Sequence, residues 1–179
     1  MKIKLSTKAQ KELTYQSYGP QPEIDGVFCH PLRKHRQLEG YFMEHLRLTG
    51  GAVEGLPVKF ELRQLSLAAA EPGRVNAFHL HPKRVQDELW CCVRGRMRVW
   101  LADVRAGSPT EGNRRCFLLS EEEPVLLHIP SGVAHGYQAG PDGALLLYAM
   151  NSQFQPDDPN EGRLPWDWFG ADLWEEDRG

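Results

Sequence analysis

Two histidines one residue apart, His79 and His81 in VNAFHLHPKR, are the first side chains in this sequence able to do chemistry together. Side chains alternate along a β-strand, so an extended segment here turns both imidazoles to one face. Six residues separate His81 from Glu88, and six more lie between Glu88 and Gly95. His135 closes IPSGVAH, a Pro-x-Gly-x-x-His turn that delivers an imidazole from a remote part of the chain. Two same-face imidazoles, a carboxylate and a third imidazole make a nitrogen-rich donor set suited to Fe, Mn, Ni or Zn. His79, His81, Glu88 and His135 are therefore the expected ligands of a divalent transition metal. The same four residues also fit a polar barrel mouth that holds no metal.

Strands must position these groups. The 17 glycines and 13 prolines recur between short apolar segments, the rhythm of an all-β sandwich or barrel of about eight strands. Val58, Phe60 and Leu62 share a face, and Leu65 and Leu67 resume it one residue out of phase, as across a bulge. The run from Glu88 to Val104 reads as two strands meeting at a tight turn around Gly95. A length of 179 residues predicts a single domain: an N-terminal arm over 1–23, the β-domain over 24–165, and a tail over 166–179. That tail carries three of the five tryptophans, so it is expected to pack on the barrel or on a second subunit.

Composition narrows the function. A net charge of −3 offers no excess for gripping a polyanion, which argues against nucleic acid as the partner. The longest apolar run, Ala144–Met150, is far short of the roughly 20 residues that cross a bilayer. The N-terminal residues lack the apolar stretch of a secretory signal, so the expected compartment is the cytoplasm. Cys29, Cys91, Cys92 and Cys116 show no CxxC spacing and read as reduced thiols. His128, in the apolar LLHIP, is expected to be satisfied by backbone. Glu121, Glu122 and Glu123 read as a solvated turn, and Arg94, Arg96 and Arg98 as a surface ladder or a phosphate contact.

The HxH, Glu, Gly and PxGxxH elements resemble the two signature motifs of the cupin superfamily, with an insertion between His81 and Glu88. Four longer stretches resemble one branch of it, the dTDP-4-dehydrorhamnose 3,5-epimerase family. These are the segment from Ile24 with Gly40, Phe42 and Glu44 at GxFxE positions, the segment ending in DVRAGSPT, LHIPSGVAHGY, and LLLYAMNSQFQPDDPNEG. The resemblance implies a jelly-roll β-sandwich and a homodimer that exchanges N-terminal strands. It also implies a sugar or sugar-nucleotide substrate, with no cofactor in a standard family epimerase. Epimerisation next to a ketone needs a base, a group to stabilise the enolate and an acid on the opposite ring face. His79 matches the family's base and Tyr148 its acid, and the closing EEDR places Asp177 as the partner of the base. Phe42, Glu44, Asn76, Gln86 and His135 fall at substrate-binding positions.

The chain departs from that pattern at three cations. Glu88 stands where the family has its enolate-stabilising lysine, Asn76 where it has an arginine before the base, and Glu39 where an arginine precedes GxFxE. A bound divalent ion could replace the lost lysine as electrophile. If His79 ligates that ion, it is a poor base, so the two roles conflict. Three readings follow: an epimerase or isomerase of a keto-sugar, a metal-dependent isomerase or dioxygenase, and a sugar-binding cupin without turnover.

Overall fold

A computed structural model describes residues 3–16 and 18–175. After a short exposed helix α1 (Thr7–Glu12), twelve strands follow. They are β1 (Phe28–Pro31), β2 (His35–Gln37), β3 (Gly40–Phe42), β4 (Leu48–Thr49), β5 (Ala52–Val53), β6 (Gln64–Ala70), β7 (Val75–Leu80), β8 (Glu88–Asp103), β9 (Arg114–Ser120), β10 (Val125–Ile129), β11 (Val133–Met150) and β12 (Gly162–Arg163). A 3₁₀ turn over Ala171–Trp174 ends the described chain.

The two longest strands organise the rest. β8 and β11 pair antiparallel along their whole length, from Val133↔Asp103 to Met150↔Glu88. The first half of β11 also pairs with β7, and its second half pairs with β6. The second half of β8 pairs with β9, and its first half with β10, which pairs in turn with β1. β8 and β11 thus run through both layers of a β-sandwich, one layer ordered β12-β7-β11-β8-β9 and the other β6-β11-β8-β10-β1. This is an all-β sandwich, as the punctuation predicts, in the jelly-roll cupin form that the resemblance implies.

Three expected boundaries change. Gly95 is no hairpin turn, because β8 continues through it as one bent strand. Its φ is 74°, and a Cβ there would lie 2.4 Å from the Gly143 carbonyl oxygen, so β8 and β11 bend together where only glycine fits. His135 likewise lies inside β11, not at the end of a turn. Val58, Phe60 and Leu62 lie outside the main sheet, whose strand starts at Gln64. Phe60 instead covers the outer face of the second layer, against Leu89, Cys91 and Leu126.

Alternation along β8 sends Met97, Val99 and Leu101 into the core between the layers, with Leu127, Ile129 and Leu146 facing them. The outer face of the first layer is covered by the C-terminal segment: Trp174 packs with Phe78, Ala102 and Ala134. Arg98 donates to the Trp174 carbonyl at 3.0 Å and Trp100 Nε1 to the Leu173 carbonyl at 2.9 Å. Arg98 is thus a tie for the tail, neither a ladder nor a phosphate contact. The described part of residues 3–23 is exposed throughout, and Trp166 and Trp168 are exposed as well. His128 Nδ1 donates to the Gly26 carbonyl at 2.7 Å, the backbone partner expected for it, whereas its Nε2 is buried with no hydrogen-bond partner.

Candidate active site

A cavity of about 430 Å³ opens between the layers, lined by His79, His81, Glu88, His135 and Tyr148 among others. The first layer contributes His79 from β7 and His135 from β11, which are register partners with rings stacked 6.0 Å apart. The second contributes Glu88 and Trp90 from β8 and Tyr148 from β11. A register shift in the β7–β11 pair sets Asn76 opposite Tyr137 and His79 opposite His135, so two residues of β7, Ala77 and Phe78, face Gly136 alone. The extra residue puts Asn76 and His79 on the same face, although three positions apart, and turns Phe78 out to the tail. Gly136 is required by this approach: a Cβ there would lie 2.3 Å from that of Ala77.

The His79 ring is held at both nitrogens. Nδ1 lies 2.8 Å from Glu161 Oε1, and Nε2 lies 2.8 Å from Asn76 Oδ1. Glu161 in turn pairs with Arg163 at 3.0 Å, and Arg163 is the register partner of His79 on β12. The His79 hydrogen bond draws the Glu161 carboxyl below its usual range, against the opposing effect of burial.

A second cluster is buried deeper. His81 Nε2 lies 2.9 Å from Glu88 Oε1, and His135 Nε2 lies 3.9 Å from Glu88 Oε2. Trp90 Nε1 donates to Glu88 Oε2 at 2.5 Å, and Gln86 Nε2 to Oε1 at 3.3 Å. Burial pushes the Glu88 carboxyl up, but the His81 hydrogen bond, the neighbouring imidazoles and the Trp90 N–H outweigh it and bring it to about 2. Burial alone would lower His81, yet its contacts with Glu88 and the Asn160 carbonyl raise it. For His135 burial wins and the ring is pushed down to about 4. Burial raises Tyr148, against the opposing effect of Ser66, its register partner on β6.

A family model described as dTDP-4-dehydrorhamnose 3,5-epimerase matches residues 21–169. The chain belongs to this family. It is 38% identical over 145 residues to the spore coat polysaccharide biosynthesis protein SpsL of Bacillus subtilis, covering 80% of this chain and 91% of that one. It is 30% identical over 147 residues to a probable low-salt glycan biosynthesis epimerase of Haloferax volcanii, covering 82% and 90%. Among solved structures, a dTDP sugar isomerase from Desulfovibrio desulfuricans superimposes with a TM-score of 0.71 at 26% identity, covering 84% of this chain and 96% of that one. These findings carry the epimerase family and the isomerase class over the other two readings.

Within this family member the expected site residues divide. His79, His81, Glu88, His135, Asn76, Gln86 and Tyr148 all line the cavity. Phe42 and Glu44 do not. They belong to the exposed β2–β3 region, where Glu44 pairs with Arg47 at 2.7 Å, because a three-residue hairpin strand has no layer of its own to join. Asp177 lies outside the described residues. The four-ligand metal set also changes: among the described residues the donors that converge, all within 4.8 Å of one another, are those of His81, Glu88 and His135, while both His79 nitrogens face other partners. These three fit a divalent ion, since they offer two imidazoles and a carboxylate from rigid strands; such an ion, when bound, would supply a Lewis acid. Glu161 and Arg163 went unassigned in the sequence. Glu161 sits in the EG that closes the quoted PDDPNEG stretch, and two-residue alternation from it reaches Arg163.

Proposed function

We propose that the protein epimerises a carbon next to the ketone of a nucleotide-linked keto-sugar, with His79 as base and Tyr148 as acid. The observation that carries this reading is His79, held through Nδ1 by Glu161 at 2.8 Å and facing the same cavity as Tyr148 from the opposite layer of the sandwich. Inverting a stereocentre takes a proton from one ring face and returns it to the other, so groups on two walls are what the reaction requires. Oxygen acceptors at both His79 nitrogens suit the imidazolium formed once the proton has been taken, because each then receives an N–H. Glu161 orients the ring, as a carboxylate does for a catalytic histidine elsewhere. This is the kind of role that the resemblance implies for Asp177.

The cavity also suits the substrate class. Its volume of about 430 Å³ lies within the range of sites for small ligands. Arg163, exposed beside His79, offers a cation for a diphosphate, and Asn76 and Gln86 present amides to sugar hydroxyls. A dimer fits the remaining surface: Leu38, Tyr41, Phe42, Leu65 and Leu67 are exposed, and a second copy gives them cover and gives Phe42 and Glu44 a site to join. Incubation with dTDP-4-keto-6-deoxyglucose in deuterated water tests the chemistry. Label next to the carbonyl is expected in the wild type and not in His79→Gln; a substrate that stays unlabelled over long incubation overturns the proposal.

A further inference from the structure

Proton abstraction next to a ketone pushes negative charge onto the carbonyl oxygen, yet the residue buried at the centre of this cavity is a carboxylate, Glu88. Among the described residues the cation lining the cavity is Arg163, which is largely exposed and already paired with Glu161. Something must turn the potential of the inner site positive, and the hydrogen bonds around Glu88 show how.

His81 Nδ1 lies 2.7 Å from the Asn160 carbonyl oxygen, and His135 Nδ1 lies 2.9 Å from the Val133 carbonyl oxygen. A carbonyl can only accept, so each Nδ1 carries a hydrogen and each Nε2 is directed at Glu88. Between His135 Nε2 and Glu88 Oε2 the distance is 3.9 Å, too long for a direct hydrogen bond and right for two donors that share a cation. Backbone carbonyls that fix the far nitrogen of a histidine, and N–H groups that fix a carboxylate, are the usual surroundings of a metal ligand set. Here Trp90 and Gln86 fix the carboxylate.

We propose that His81, Glu88 and His135 hold one divalent transition-metal ion at the inner wall of the cavity, where its open positions face the keto-sugar. The binding site stands on geometry alone; its role as electrophile rests on the epimerase reading. Two imidazoles and one carboxylate, without thiolate, favour Zn²⁺, Mn²⁺, Fe²⁺ or Ni²⁺. An ion of charge +2 beside one carboxylate leaves the inner wall net positive. His79 is not among the three converging donors, its nitrogens being directed at Glu161 and Asn76 and not at Glu88, so base and metal are separate groups and the conflict between those roles disappears.

The test uses the full chain stripped with a chelator and titrated with Co²⁺ at neutral pH. Visible absorption of the ion, quenching of tryptophan fluorescence and elemental stoichiometry are read together; Trp90, whose ring centroid lies 5.2 Å from that of His135, is the near reporter. About one ion per chain is expected, with affinity falling at least about 100-fold in Glu88→Gln and in His135→Ala, and holding within about threefold in His79→Gln. Should a variant fail to fold, the wild-type absorption and stoichiometry still decide. No cobalt spectrum in the wild type, or binding indifferent to both ligand substitutions, overturns the site. Stripped and reloaded protein are then compared in the deuterium assay. Exchange lost on stripping and restored by metal supports the electrophile, and equal exchange without metal overturns it. A bound ion with no exchange on the keto-sugar in either form overturns the role and the epimerase reading while the ion site stands.

Discussion

Replacing Glu161 by glutamine isolates the charge that faces His79. The amide oxygen can still accept the Nδ1 hydrogen at about the same distance, so the ring keeps its orientation and loses only the carboxylate behind it. A hydrogen bond to a charged partner is worth about 1.5–3 kcal/mol, and every 1.4 kcal/mol is tenfold, so kcat should fall by about 10- to 100-fold. The Glu161 side chain is 33% exposed, which screens its charge and favours the lower half of that span. His79→Gln removes the base itself and should cost about 10²- to 10⁴-fold. The assay is deuterium uptake next to the carbonyl, followed by NMR over a range of substrate concentrations. Because Glu161 acts through His79, the loss belongs in kcat with KM little changed. A Glu161→Gln enzyme within about twofold of wild type in kcat, or one altered in KM alone, would refute the assignment.

Three other outcomes are expected. Tyr148→Phe should keep exchanging the substrate C–H with solvent while inverted product falls by about 10²-fold or more, read as label retained in unepimerised sugar. Arg163→Gln should raise KM for a diphosphate-linked sugar about tenfold and leave kcat nearly unchanged, as removal of a binding contact does; equal KM values would place the diphosphate elsewhere. Asp103 is fully buried and accepts from Arg105 Nε and Nη2 at 2.8 Å, from Ser108 at 2.5 Å and from Thr110 at 2.6 Å. The Arg105 hydrogen bonds chiefly hold its carboxyl well below the usual range. Its stabilising contribution is therefore complete above about pH 5 and is lost as pH falls through the depressed folded value. Asp103→Asn should cost about 3–5 kcal/mol in denaturant unfolding at pH 7 and flatten the acid limb of the stability profile; an unchanged acid limb would sink the linkage.

Much of this was legible in the residues. The HxH spacing, the distant PxGxxH and Glu88 do converge, because strand alternation is a local rule that needs only the assumption of extended backbone. What local rules missed was long-range. Glycine at 95 suggested a turn, yet a strand can bend at a left-handed glycine when its neighbour bends with it, and that neighbour, Gly143, is far away in sequence. The same-face argument grouped His79 with His81 as ligands. It could not anticipate that β12 would bring Glu161 against the His79 ring, since a two-residue strand carries no periodic signal. Phe42 and Glu44 were placed by resemblance alone, and this chain by itself leaves them exposed.

The departures at the inner wall make physical sense only as a set. A buried carboxylate at position 88 without partners would cost several kcal/mol, so it survives because Trp90 and Gln86 donate to it and His81 Nε2 faces it at 2.9 Å. A histidine at 81 sets Nε2 2.9 Å from that carboxylate, and Asn160 fixes that histidine through its carbonyl at 2.7 Å. Returning lysine at position 88 alone would therefore not rebuild a simple cationic site. Its ammonium would replace the acceptor for His81 and Trp90 and stand against two imidazoles whose far nitrogens are already committed. The double change to lysine at 88 and glutamine at 81 removes that clash. It should be better tolerated than the single Glu88→Lys by about 1–3 kcal/mol of coupling, as expected for residues that share one hydrogen-bonded network.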